Sequence, residues 1–279
     1  MIGAPPLAAE IFAGYVGGSA KVLAFYPLDT ITTLREVGVQ RSTSRRPLVQ
    51  YYAGCGLTLL AALPFAVVFH TALWLCERML HQILPVAVLR LVASTAGAVA
   101  ASLVGVPFEC LKHRIQLGVR GYATPRQALA STLRGEGTRG LYTGLSSTLA
   151  RNVPYNALHF GIFELASSAL RGAVLPARTR DILAGALSGA ITALLTTPLD
   201  LVNTRLQTQA MLAADESGGA DGRDVTLYAG PVDALSTILA QGGVPELMQG
   251  AGVRVVQYAP SAVVFFVVYE AIKRRLSTG

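Results

Sequence analysis

Pro107-Phe108-Glu109-Cys110-Leu111-Lys112-His113-Arg114-Ile115-Gln116 is the stretch on which the fold turns. It closes a long apolar run, sets an acid two residues after a proline, then places bases and a glutamine at helical spacing. The same opening recurs on both sides. Pro27-Leu28-Asp29 ends the first apolar run of the chain and Pro198-Leu199-Asp200 ends the fifth, 80 residues before and 91 after. Each continues into a helical stretch bearing an arginine, Arg35 in one case and Arg205 in the other.

The rest of each unit repeats as well. Tyr52-Ala53-Gly54, Tyr142-Thr143-Gly144 and Met248-Gln249-Gly250 each precede an even-numbered apolar run. Pro64, Pro154 and Pro260 then follow those glycines by 10 residues in all three cases. Repetition at one fixed spacing is the signature of a repeat architecture. Six apolar runs, 8–36, 52–79, 86–117, 147–170, 180–208 and 252–275, are each long enough to cross a hydrocarbon core that needs about 20 helical residues. Three two-helix units follow, over 8–82, 86–174 and 179–277, in one domain spanning 1–279. Between the long helices, Thr124-Pro125 reads as a cap with proline at the first helical position. It predicts a short helix over 125–134, and residues 230–241 predict its counterpart; the first unit has only 45–50 for that element. The polar, Gly-rich 215–224 segment reads as a loop.

Composition agrees with a membrane protein. Of 279 residues, 52% are hydrophobic and 14% charged, where a soluble domain carries about a quarter charged. Mean hydropathy is +0.48. This argues against a disordered chain, a disulfide scaffold or a soluble enzyme. The net charge of +7 falls largely in loops, among them Arg41, Arg45, Arg46, Arg120, Arg126, Arg134 and Arg139, so no nucleic-acid partner is expected. Cys55, Cys76 and Cys110 lack metal-ligand spacing and read as packing residues. There is no phosphate-binding glycine loop and no nucleophile triad; neither enzyme activity, cofactor nor metal is expected. The N-terminal residues have neither the Arg-rich pattern of a transit peptide nor the basic start of a signal peptide.

The repeated positions carry the chemistry. Asp29, Glu109 and Asp200 form a layer of acids, and an intramembrane charge is costly unless paired. The position five after each proline, one turn past the acid, holds Lys112 in the second unit but Thr32 and Asn203 in the others. That spacing predicts one ion pair, Asp29 with Lys112, and at most hydrogen bonds from Asn203 to Glu109 and from Thr32 to Asp200. Gln116 and Gln207, nine after their prolines, are candidate braces for this layer; Glu36 holds that place in the first unit. At mid-depth, three before the even-run prolines, stand Ala61, Arg151 and Gln257, followed by Asn152 and Tyr258. These five are the candidate substrate contacts, with Arg151 the functional-site residue by default. Lys21 is a further mid-membrane base, one residue off the repeat line. At the opposite end Glu164, Glu270 and Lys273 offer one bridge, Glu164 to Lys273, or act as interface anchors.

These residues resemble the mitochondrial carrier family. Residues 107–116 match its P-x-D/E-x-x-K/R-x-K/R-x-Q signature in full, and Glu136-Gly137 with Tyr142-Thr143-Gly144 matches the element downstream except for its base. The resemblance implies an all-α membrane fold of six transmembrane helices in three pseudo-threefold repeats. It also implies alternating access between a matrix gate at Asp29, Lys112, Glu109 and Asp200 and a cytoplasmic gate at the other end. Substrate contacts would fall on Ala61, Arg151, Asn152 and Gln257. Within the family the layout is most similar to the S-adenosylmethionine carriers, in its compact length, shortened first matrix helix and the Val106–Gln116 segment. Asn152 after Arg151 instead resembles the keto-acid and carboxylate carriers. The implied function is secondary transport of a small anionic or zwitterionic metabolite across the mitochondrial inner membrane, or another organelle membrane. The expected state is a monomer among anionic lipids, cardiolipin included. Because the first unit lacks both signature bases, a weak matrix gate is expected, and the rival reading is a carrier-fold scaffold that no longer transports.

Overall fold

The computed structural model describes residues 7–37, 47–118, 121–172, 174–216 and 226–277. Ten α-helices occupy almost all of them: α1 (Leu7–Glu36), α2 (Leu48–Tyr51), α3 (Cys55–Leu80), α4 (Val86–Leu117), α5 (Pro125–Gly135), α6 (Gly137–Leu141), α7 (Leu145–Ala169), α8 (Ala177–Glu216), α9 (Pro231–Leu247) and α10 (Ala251–Ser277). Six are long, between 25 and 40 residues, more than the ~20 that a hydrocarbon core requires. Leu48–Leu80, Val88–Leu117 and Thr179–Ala213 are long and apolar enough to span by length and composition. The other three long helices, α1, α7 and α10, bring charged side chains such as Lys21, Arg151 and Arg254 to the bundle interior.

The distribution of polarity is the reverse of a soluble protein. Leu60, Met79 and Leu165 are 65–72% exposed, while Arg114, Gln116, Asn203, Gln207 and Thr208 are buried. A lipid solvent explains both halves. Apolar side chains face the tails at no cost, and polar groups withdraw inward, where they find partners.

Each long helix carries its repeated proline internally: Pro27, Pro64, Pro107, Pro154, Pro198 and Pro260. Proline has no N–H to donate, so the carbonyl four residues earlier loses its helical partner. At Pro27 that carbonyl belongs to Leu23, and the Tyr52 hydroxyl donates to it at 3.3 Å. Just before α3, α7 and α10 the chain turns through Gly54, Gly144 and Gly250, with φ of +84 to +88. Only glycine adopts that region without strain. Gly144 also lies hard against α8, where a Cβ would come within 2.7 Å of Gln207 Cγ.

The short elements differ as their sequences do. Thr124 accepts from the Gln127 N–H and starts α5 at Pro125. α2 is a single turn after Pro47. α9 continues past residue 241 to Leu247, with a break at Gly243, where φ is +66. α8 runs through Asp215 and Glu216, so those two residues are helical rather than loop; the remainder of the 215–224 segment lies outside the described residues.

Candidate functional site

The C-terminal halves of α1, α4 and α8 converge on one polar layer. Lys112 Nζ lies 2.7 Å from Asp29 Oδ2, tying α4 to α1. Gln116 reinforces this pair: its Nε2 donates to Asp29 Oδ2 at 3.0 Å and to Thr30 Oγ1 at 3.1 Å, and its Oε1 accepts from Thr33 at 3.0 Å. Between α4 and α8, Asn203 Nδ2 reaches Glu109 Oε1 at 3.4 Å. Asn203 Oδ1 accepts from Ser147 at 2.7 Å and Thr148 at 3.0 Å. Gln207 Oε1 lies 2.6 Å from His113 Nδ1, so the side chain of this glutamine braces α4 against α8 through a histidine rather than through an ion pair.

The third side departs from the sequence expectation. Thr32 does not reach Asp200; its hydroxyl donates to the Leu28 carbonyl at 2.9 Å. Asp200 is claimed instead by two guanidinium groups from even-numbered runs. Arg151 Nη1 lies 2.9 Å from Asp200 Oδ1 and 3.6 Å from Glu109 Oε1. Arg254 Nη2 lies 2.5 Å from Asp200 Oδ2, and its Nη1 lies 3.3 Å from Glu36 Oε1. Glu36 also accepts from Thr204 at 2.7 Å. A buried carboxylate gains more from a fixed, charged, forked donor than from a hydroxyl. The layer thus holds ion pairs on every side despite the uncharged Thr32 and Asn203, and the expectation of a single pair underestimates it.

Arg254 is the ion-paired residue of the layer that the repeat spacing misses. It stands four residues after Gly250, where the other units have Thr58 and Thr148, so no threefold pattern marks it. The signal was simply an arginine inside an apolar run.

Behind the layer lies a central cavity in two lobes. One, of about 280 Å³, is lined by Lys21, Phe25, Arg254, Gln257, Tyr258 and Ser261 among others. The other, of about 450 Å³, is lined by Ala61, Phe65, Phe69, Asn152, Tyr155 and Asn156 among others. Thr58, Glu109, Lys112 and Arg151 border both. All five mid-depth candidates, Ala61, Arg151, Asn152, Gln257 and Tyr258, therefore face this space. Asn152 is held by a 2.7 Å hydrogen bond from its Nδ2 to Ser102 Oγ. Lys21 faces it too, with Nζ 5.5 Å from the centre of the Tyr258 ring. Phe65 and Phe69 stack at 6.2 Å, and Tyr155 stacks on His159 at 5.9 Å, so the larger lobe has flat aromatic walls.

At the opposite end Glu164 is exposed. The side chains of Glu270 and Lys273, proposed with it as a second gate, lie outside the described residues.

Two outer pairs fasten the short helices to the bundle. Arg114, fully buried, is bound to Glu136 and donates to Thr132 Oγ1 at 3.0 Å. Arg205 Nη2 lies 2.7 Å from Glu246 Oε1.

Residues 85–173 and 177–279 match the family model described as mitochondrial carrier protein. S-adenosylmethionine carrier 1, chloroplastic/mitochondrial, from Arabidopsis thaliana is 33% identical over 276 residues, covering 96% of this chain and 80% of that protein. The mitochondrial S-adenosylmethionine carrier protein of Xenopus tropicalis is 31% identical over 95% of each chain. Mitoferrin from Dictyostelium discoideum is 26% identical over 95% of this chain and 92% of its own. With six long helices, a polar interior and this similarity along nearly its whole length, the chain belongs to the mitochondrial carrier protein family, the multi-pass solute transporters of organelle inner membranes.

Proposed function

We propose that the protein carries a small anionic or zwitterionic metabolite by alternating access, with S-adenosylmethionine the first candidate and a keto acid or other carboxylate the second. The observation that carries this reading is the ion-paired layer closing one end of a cavity with one polar and one aromatic lobe: a solute entering from the other side meets a barrier built to be taken apart. Each charge-assisted contact contributes about 1.5–3 kcal/mol, so the ~8 kcal/mol that micromolar binding supplies offsets roughly three to five of them. Arg151 borders both lobes and, once opening of the layer releases it from Asp200 and Glu109, supports an acidic group on the solute. The aromatic walls at Phe65, Phe69 and Tyr155 support a flat ring such as adenine, and two relatives bear the name of that substrate.

In this reading the Asp29, Lys112, Glu109 and Asp200 layer is the matrix gate, and Arg254 and Arg151 strengthen it. One chain encloses the whole cavity, which supports a monomeric carrier. The basic loops and the short-helix N-termini support anionic lipid, cardiolipin in particular, around it.

Reconstitution into liposomes tests the proposal. Uptake of labelled S-adenosylmethionine, or of a keto acid, that saturates with concentration and falls in Arg151→Ala supports it. No uptake from either class overturns it and favours a scaffold without transport.

A further inference from the structure

Lys21 is the cavity cation that the gate layer leaves unused. The other Lys and Arg head groups lining that lobe, Lys112, Arg151 and Arg254, are all bound to carboxylates. The lobe's four carboxylates, Asp29, Glu36, Glu109 and Asp200, all belong to the gate layer. Lys21 stands eight residues before Asp29 on α1, which at about 1.5 Å per residue sets it roughly 12 Å away along the helix. Among the described residues no carboxylate pairs with it. Its ammonium instead sits over the Tyr258 ring.

The ring is well placed for this. Tyr258 Cδ1 approaches α8 at Gly189, where a Cβ would come within 3.2 Å, so the glycine leaves room for the ring. Ser261 lies one turn on and donates to the Tyr258 carbonyl at 2.9 Å. Beside it Gln257 lines the same lobe, and among the described residues no group takes up its side-chain amide. A ring face recovers only part of the cost of holding an ammonium away from water. A site with one uncompensated positive charge and one free amide donor is an anion site waiting for its ligand.

We infer that Lys21 and Gln257 dock the carboxylate of the transported solute, with Tyr258 as the backing wall; this rests on the transport reading and names the group recognised. The Lys21 ammonium pairs with the carboxylate, and Gln257 Nε2 donates a second hydrogen bond to it. One charge and one amide suit a monoanion. A phosphate dianion would bring two charges to one cation and more acceptors than these donors satisfy. The ligand class is therefore an organic carboxylate at the end of an amino or keto acid.

The test compares S-adenosylmethionine with its decarboxylated form, which lacks only that group, and includes pyruvate as a minimal keto acid. Dissociation constants are measured by thermal shift and calorimetry on the full-length wild-type, Lys21→Gln and Lys21→Arg proteins. The wild type should prefer S-adenosylmethionine over the decarboxylated form by about tenfold. Lys21→Gln should abolish that preference by weakening the carboxylate ligand alone, and Lys21→Arg should retain it. If pyruvate binds and S-adenosylmethionine does not, a tenfold loss of pyruvate in Lys21→Gln supports the docking site equally. A wild type that binds a carboxylate ligand while Lys21→Gln binds it as well overturns the docking site and leaves the transport reading standing. A wild type that binds none of the carboxylates overturns both.

Discussion

Arg254 Nη2 and Asp200 Oδ2 stand 2.5 Å apart, joining α10 to α8 where the repeat positions offer only Thr32 and Asn203. The family plan would put a base on an odd-numbered run at each corner of this layer. Here two corners take their charge from the even-numbered runs, through Arg254 and Arg151. This layer is ion-paired by a different set of helices from the one its signature implies.

Arg254→Gln should open the gate layer more often, because Asp200 and Glu36 both lose their strongest donor. Losing a charge-assisted contact of about 2 kcal/mol raises the open population roughly 30-fold. The decisive comparison is Arg254→Gln with Thr32→Lys, which returns a base to α1 near Asp200. Leak of a trapped solute from liposomes should rise in the single variant and fall back in the double. Equal leak in wild type and Arg254→Gln would show that the contact does not hold the gate.

How much of this was legible follows from where the information sits. The prolines, the acids of the layer and Lys112 occupy fixed offsets, so one chain compared with itself exposes them. Most helix boundaries followed from the apolar runs within a few residues, but α8 and α9 extend eight and six residues past their expected ends, to Glu216 and Leu247. Arg254 and Arg151 as partners of Asp200 were not legible. Their contacts join residues 54 and 49 positions away in sequence, and a repeat pattern only points to positions that match. Glu36 is the same case: it breaks the glutamine pattern because its partner is Arg254. The roles of Gln116 and Gln207 also diverged: the Gln116 amide bonds an ion-paired carboxylate, while the Gln207 amide bonds His113.

Lys112 and Asp29 form the pair joining α4 to α1, and Tyr26, Thr33 and Gln116 surround it. Lys112→Ala leaves Asp29, whose side chain is 34% exposed to the cavity, without its cation, which is the costly way to break a partly buried pair. Leak through this layer should rise by at least tenfold and thermal stability should fall. Exchanging the two residues, Asp29→Lys with Lys112→Asp, should recover most of both losses. A double exchange no better than the single variant would show that the positions are not coupled.

Arg114 carries its charge at 0% exposure and binds Glu136, Thr132 and, through Nε, the Gln207 carbonyl at 3.1 Å. Glu136→Gln keeps the shape and removes the countercharge, so the guanidinium stays buried with only neutral partners. The expected cost is about 2–3 kcal/mol, the lower side of values for a broken buried pair because Glu136 is partly exposed. Arg114→Met should cost less than Glu136→Gln, since it takes away the buried charge itself. Thermal unfolding in detergent micelles reads both, and the reverse order would remove the argument.

Gly144 makes the sharpest packing prediction. Its φ of +84 favours glycine, and an added Cβ would lie 2.7 Å from Gln207 Cγ and 3.1 Å from Asn203 Oδ1. Gly144→Ala therefore combines left-handed strain of about 1 kcal/mol with overpacking of about 1–3 kcal/mol. The displaced side chains are the ones that hold His113 and Glu109, so the damage should reach the gate as well as the fold. Gly252→Ala is the control: it lies in α10 with nothing within 4 Å of the new methyl, and alanine favours a helix over glycine. Melting should drop and leak should rise for the first, with the second unchanged or slightly stabilised. If the two variants melt together, the close approach of α7 to α8 is not what requires glycine at 144.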